Sequence, residues 1–186
     1  RNACSMVDLE RLHGVVGKYT RGMLQAQQGS AGSDEDPVSM ALTVMSQLLR
    51  RLDVGSGRVG RLQVSSESLV DRSKSIKSNL MAPVEAYGGG DVEGVDSYHA
   101  CYGGTSVLLC CLDWLQGAAW DGRYAVMVAS DVSDAPAQFR FMSGAAAVAV
   151  VLGPEAPVRV EPARVSHVAH EWDFYKPAGW REMEPV

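Results

Sequence analysis

Long apolar runs are missing from this chain. No stretch approaches the roughly 20 consecutive apolar residues that a helix needs to span a bilayer, so no membrane span is expected. Cysteine is scarce, and none of Cys4, Cys101, Cys110 and Cys111 forms a CxxC pair, which removes the usual zinc-ribbon and thioredoxin signatures. Nothing in their spacing suggests a disulfide framework, an arrangement that fits a reducing compartment. Excess positive charge is lacking too. Against 22 Asp and Glu stand 17 Lys and Arg, and the net charge of -5 argues against a surface that tracks nucleic-acid phosphates. Histidine is equally sparse. His167 and His170 have HxxH spacing, but with no third ligand in view no metal is expected. The first residues, RNACSMVDLERLH, lack the apolar core of a secretory signal and do not begin with Met.

What is present is ordinary globular material: 186 residues, 46% hydrophobic and 21% charged, enough for one domain with a sizeable core. Residues 17–28 suit a short helix, followed by the loop GSAGSDEDP at 29–37. Asp36 suits an N-cap and Pro37 a first helical position, for a helix to about Leu52 with Met40, Val44, Leu48 and Leu52 at a four-residue step. The GSG at 55–57 ends it. A strand is expected at Val59–Ser65 and a polar helix from about Asp71 to Met81, broken by Pro83 and the glycines 88–90. A strand over Val92–His99 leads into CYGGTSVLLCCLDWLQGAAW, apolar nearly all round after its glycines and so read as a buried helix in which Cys110 and Cys111 are small core residues. Arg123–Ala129 and Ala145–Leu152 read as strands buried on both faces, with a third at Val158–Val165. Strands alternating with helices predict an α/β layered fold. From His167 onward the chain is aromatic and irregular, and it ends without a stop signal, as a segment would.

Four places offer chemistry. Cys101 stands between a strand and the Gly103–Gly104 pair that opens the apolar helix, where the positive end of the helix dipole favours a thiolate and the glycines permit close approach of a substrate. The same position also suits a buried structural cysteine. Glu67 follows a strand, where a partly desolvated carboxylate serves as general acid or base, or simply as a helix N-terminal acid. Asp131 ends another strand, where ligands approach α/β sheets and where turn caps also sit. Arg72, Lys74 and Lys77, beside Asp71, form a solvated face or a local pocket for an anion.

Read in order, six blocks resemble hydroxymethylglutaryl-CoA synthase: GKYTRGMLQAQ at 17–27, RLQVSSESLVDRSKSIKSNLM at 61–81, DVEGVDSYHACYGGT at 91–105, WDGRYAVMVASD at 120–131, GAAAVAVVLGP at 144–154 and HVAHEWDFYKP at 167–177. The resemblance implies a thiolase-like layered αβαβα fold of which 1–186 is the N-terminal half, with the family's first strand before residue 1 and its catalytic His beyond Val186. It implies Cys101 as the acylated nucleophile, Glu67 as general acid/base, and Asp131, Gly103 and Gly104 as supporting residues. It implies no permanently bound cofactor, with acetyl-CoA and acetoacetyl-CoA as substrates of the mevalonate route to isoprenoids. It implies a complementary C-terminal half or another chain as partner in a dimer or larger assembly, in the cytoplasm or alternatively the mitochondrion. The chain departs from the family at His99, Ala135 and Met142, where Asn, Tyr and Thr are usual. Two readings therefore stand: an acyltransferase, or a synthase-like subunit that keeps the fold for a structural role.

Overall fold

The computed structural model describes residues 2–52, 58–135 and 137–171. It separates into two units, Arg1–Glu155 and Ala156–Val186.

The first unit opens with β1 (Asn2–Ser5), α1 (Met6–His13) and β2 (Gln27–Ser30), with β1 and β2 paired antiparallel. Between α1 and β2 the expected helix over 17–28 does not form. The chain makes one π-helical turn over Lys18–Gly22, and Gln27–Ser30 is strand. The reason is a buried carboxylate. Glu10 on α1 accepts the N–H groups of Gly17 (2.8 Å), Tyr19 (2.7 Å) and Thr20 (2.7 Å) and the Thr20 hydroxyl (3.0 Å), which fixes the loop against α1. These donors, the Thr20 amide foremost, hold the Glu10 carboxyl below its ordinary value against the opposing effect of desolvation.

Next comes α2 (Pro37–Leu52), capped as its sequence predicts: the Asp36 carboxylate accepts the Ser39 N–H at 2.6 Å. The stop expected at 55–57 lies outside the described residues. The strand β3 (Val59–Ser65) agrees with expectation. The helix expected from Asp71 begins later and runs on through Pro83, as α3 (Ile76–Ala86). Asp71 accepts the N–H groups of Ser73 and Lys74, a local turn that competes with helix. Ser75 instead caps α3 through the Ser78 N–H, and Ile76, Leu80 and Val84 carry its buried stripe past the proline.

After α3, the strand expected over 92–99 shrinks to β4 (Asp96–Ser97), with one isolated bridge between Arg61 and Glu93. Gly94 interrupts it at φ 138°, where a Cβ would strike the backbone of Leu62. Then follow α4 (Gly103–Leu115), β5 (Tyr124–Ser133) and β6 (Gly144–Leu152). The main sheet has the order β4-β3-β5-β6, with β3 parallel to β4 and β5, and β6 antiparallel to β5.

Period-two alternation sorts the two faces of this sheet. Leu62 and Val64 of β3, with Val126 and Val128 of β5, pack against Ala41, Met45 and Leu49 of α2 and the buried stripe of α3. On the other face Ala125 and Met127 meet Val107 and Cys111 of α4. The result is helix, sheet, helix. Two expectations of full burial fail here. In α4 only Gly103, Val107 and Cys111 are buried, because the sheet covers one side of the helix. In β6 Val148 and Val150 stay 49% and 39% exposed, on the α4 side of the sheet but beyond the cover that α4 provides. Of the second unit, residues 156–171 are irregular, so the strand expected at Val158–Val165 is not formed; its side chains bury nothing that would reward pairing.

Candidate active site

β3 and β5 run parallel with Ser65 opposite Ala129, so their C-terminal ends emerge side by side. From these ends come Glu67 and Asp131. The Asp131 carboxylate accepts the Glu67 N–H at 2.7 Å, the Ser66 hydroxyl at 3.1 Å, the Ser68 hydroxyl at 3.0 Å and the Ser68 N–H at 3.3 Å. The Ser68 hydroxyl in turn accepts the Val132 N–H at 2.9 Å. One oxygen of Asp131 thus organises the whole turn that presents Glu67. Its role here is positioning, one of the two readings open from sequence.

Cys101 arrives from β4 through a 3-10 turn over Ala100–Tyr102. The residue before it, Ala100, has a left-handed φ of 39°. A non-glycine residue there stores strain of about 1–3 kcal/mol, and such strain clusters at functional turns. Gly103 lets α4 start directly against β3: a Cβ on Gly103 would land on the Ser65 hydroxyl. Gly104 has more room, its Cβ position lying 3.6 Å from the Ala129 Cβ. So the close approach that sequence assigned to substrate at Gly103 is taken by the protein's own strand.

The two candidate catalytic side chains meet. Cys101 Sγ lies 3.7 Å from Glu67 Oε1, both exposed. The expected preference for thiolate is reversed: the Cys101 thiol is raised above its ordinary value. Repulsion from the Glu67 carboxylate is the main cause, followed by desolvation and the hydrogen bond to Glu67, with a smaller contribution from Asp131. The helix dipole is outweighed because Cys101 precedes α4 while a full negative charge lies in contact. Cys111, by contrast, is a core thiol, pushed up to about 12 mainly by burial. All four cysteines are free thiols.

Beside Glu67 opens a cavity of about 340 Å³ lined by Glu67, Leu69, Arg72 and Tyr98. On the other side of Asp131 a groove of about 350 Å³ runs between β2 and β6, past Gln28, Ser133 and Met142. His99 makes an edge-on contact with Tyr102, and Ala135 donates its N–H to the Ser143 hydroxyl at 2.9 Å. Ser66, Ser68, Tyr98 and the strained Ala100 escaped the sequence reading. The Ser-Ser-Glu-Ser run after a strand was the available signal for the first two, since short hydroxyl side chains organise backbone turns. His167 and His170 belong to the second unit, and no cluster able to hold a metal ion occurs among the described residues.

A mixed sheet between two helix layers is the architecture of thiolase-like hydroxymethylglutaryl-CoA synthases, and solved structures bear this out. The chain superposes with TM-score 0.82 on a hydroxymethylglutaryl-CoA synthase complexed with CoA, over 95% of this chain and 45% of that one, at 18% identity. It superposes with TM-score 0.74 on MvaS in complex with 3-hydroxy-3-methylglutaryl coenzyme A, over 80% of this chain and 36% of that one, at 32% identity. Residues 2–157 match the family model "Hydroxymethylglutaryl-coenzyme A synthase N terminal". The chain is 43% identical over 173 residues to the cytoplasmic hydroxymethylglutaryl-CoA synthase of Rattus norvegicus, covering 91% of this chain and 33% of that protein. It is 41% identical over 179 residues to the hydroxymethylglutaryl-CoA synthase of Mycosarcoma maydis, covering 95% of this chain and 39% of that protein. The chain belongs to the hydroxymethylglutaryl-CoA synthase family and spans about a third of the length of the curated relatives it matches.

Proposed function

We propose that this chain supplies the acylated cysteine and the proton-handling carboxylate of a synthase that condenses acetyl-CoA with acetoacetyl-CoA, in the mevalonate route to isoprenoids. The observation that carries the reading is the contact of Cys101 Sγ with Glu67 Oε1 at 3.7 Å, in a chain of this family. Acetyl-CoA transfers its acetyl group to Cys101 and CoA leaves with the thiol proton. Glu67 then takes a proton from the methyl of the acetyl thioester. The resulting carbanion attacks the ketone of acetoacetyl-CoA, and the new alkoxide is protonated. Water cleaves the thioester, returning the Cys101 thiol and releasing 3-hydroxy-3-methylglutaryl-CoA. Asp131 acts by fixing the turn that carries Glu67. No permanently bound cofactor is needed, and cytoplasmic relatives favour a cytoplasmic protein.

Residues 1–186 act here as the N-terminal thiolase-like half. The exposed Val148 and Val150 and the half-buried flank of α4 support a complementary half, or another chain, packing on that side. The test is to supply that half with radiolabelled acetyl-CoA. Label should accumulate on Cys101 in the wild type and in Glu67→Ala, while condensation in Glu67→Ala falls by about 10²–10⁴-fold, the usual cost of losing a positioned acid–base group. Cys101→Ala should abolish both. Equal loss of both steps in Glu67→Ala would overturn the role given to Glu67.

A second reading is a synthase-like subunit that keeps only the fold. Met142, 58% exposed in the groove beside Asp131, favours it, since an apolar side chain stands where the family usually has a hydroxyl. It requires that Cys101 stay unlabelled even at saturating acetyl-CoA.

A further inference from the structure

The cavity beside Glu67 contains two opposite charges that do not neutralise each other. Glu67 and Arg72 both line it, together with Leu69 and Tyr98. No ion pair joins them, and the Arg72 guanidinium donates no hydrogen bond among the described residues. The other cations of this segment are differently placed. Lys77 gives its ammonium to the Val92 carbonyl at 2.7 Å, and Lys74 follows Asp71 on the turn that the Asp71 carboxylate organises. Arg72 is thus the cation of this cluster that faces a cavity of about 340 Å³, room for a short acyl chain. Glu67 connects that cavity to Cys101 through its 3.7 Å contact.

The carboxylates at this end of the sheet, Glu67 and Asp131, repel an anion. Yet an acyl group carried on Cys101 ends as one: water adds to the thioester carbon, the C–S bond breaks, sulfur recovers a proton, and the acyl group departs as a carboxylate with release of the second proton. A bidentate guanidinium is the group suited to hold such a product against two neighbouring carboxylates. We propose that the cavity beside Glu67 is a carboxylate subsite in which Arg72 holds the anionic end of a short acyl group as it forms at, or approaches, Cys101. This rests on the reading of Cys101 as the acylated thiol.

The subsite can be probed without any synthase turnover. Iodoacetate and iodoacetamide alkylate the same thiol and differ chiefly in the negative charge of the first. The ratio of their rate constants at Cys101, read by peptide mass spectrometry on the chain with its complementary half, reports the field and the anion contact there. Arg72→Gln should lower the iodoacetate-to-iodoacetamide ratio by about tenfold, the order expected of one lost charge contact at a partly solvated site. Arg72→Lys, which keeps the charge but not the bidentate fork, should restore only part of it, and Arg50→Gln, at the exposed end of α2, should leave it unchanged. Glutarate should slow alkylation in the wild type more than in Arg72→Gln. The iodoacetamide rate serves as the folding control, since a disordered site would move both reagents together. An unchanged ratio in Arg72→Gln at a reactive Cys101 overturns the subsite alone. A Cys101 that resists both reagents even in Glu67→Gln and at alkaline pH overturns the acylated-thiol reading, and the subsite with it.

Discussion

A carboxylate in contact with a thiol opposes ionisation of that thiol, because the thiolate would be a second negative charge 3.7 Å away. The sign has a direct consequence for Cys101. Repulsion from Glu67 raises its ionisation above the ordinary thiol value, which disfavours the thiolate, the reactive form. Glu67→Gln removes the repulsion, which lowers the thiol's pKa and raises the thiolate fraction at any given pH below it. The pH profile of iodoacetamide alkylation at Cys101 should therefore shift to lower pH in Glu67→Gln, and the rate at pH 7.5 should rise. A profile that stays in place would show that the Glu67 charge does not reach the sulfur. Cys111 should remain unlabelled throughout, because burial pushes it up to about 12. The prediction also separates two duties of one residue. On the proposed mechanism, Glu67 would oppose ionisation of the free thiol and would move a proton once the sulfur is acylated and can no longer ionise. That Cys101 and Glu67 follow strands was legible in the sequence, while position alone left a structural cysteine and a helix N-terminal acid equally open. The sign of their interaction was not legible, because it depends on a contact between residues 34 positions apart, whereas the dipole argument is local.

Elements repeat this division between local and distant causes. Where the signal is local, sequence sufficed: Asp36 and Pro37 start α2, and the apolar β3 and β5 form the parallel pair. Where a distant group intervenes, it did not. The loop over 17–20 looks helical until the carboxylate of Glu10 takes its N–H groups. The start of α3 is similarly governed from outside. Asp96 on β4 accepts the N–H of Ile76 at 2.6 Å and of Lys77 at 2.9 Å, two donors that the helix itself leaves unsatisfied. A carboxylate at this end also complements the helix dipole. Asp96→Ala should cost about 1–2 kcal/mol of stability, more than Ser75→Ala, which removes one accepted N–H rather than two. Urea unfolding followed by tryptophan fluorescence reads the difference. Equal costs would mean that Asp96 merely duplicates the local cap. Because Asp96 sits just before the segment leading to Cys101, its loss should also disturb the alkylation rate there, while Ser75→Ala should not.

At the scale of the molecule, the three-layer αβα arrangement follows from alternation along β3 and β5, but the expectation that every apolar strand is buried on both faces does not hold. In β6, Ala149 and Val151 turn toward α2, while Val148 and Val150 lie opposite Ala129 and Met127 on the α4 side and remain open. Two β-branched residues in succession on one face, 49% and 39% exposed, next to a helix with a half-buried apolar flank, form a surface that water does not favour. Residues 1–186 expressed alone should therefore self-associate and bind a hydrophobic dye. If this strip is the source, Val148→Thr together with Val150→Thr should weaken dye binding several-fold, since threonine keeps the branched shape that a strand accepts while replacing a methyl by a hydroxyl. The far-UV spectrum should not change, because neither side chain contributes to the buried clusters on the two faces of the sheet. Adding the complementary half should suppress dye binding of the wild type by the same route, and should have less left to suppress in the double variant. A wild-type chain that is monodisperse and silent to the dye would show that the open face of β6 needs no cover, and would remove the physical ground for a second half packing there. Dye binding unchanged by the double substitution would move the sticky surface elsewhere, with the exposed Leu12, Val16 and Leu24 around the π-helical loop as the next place to substitute.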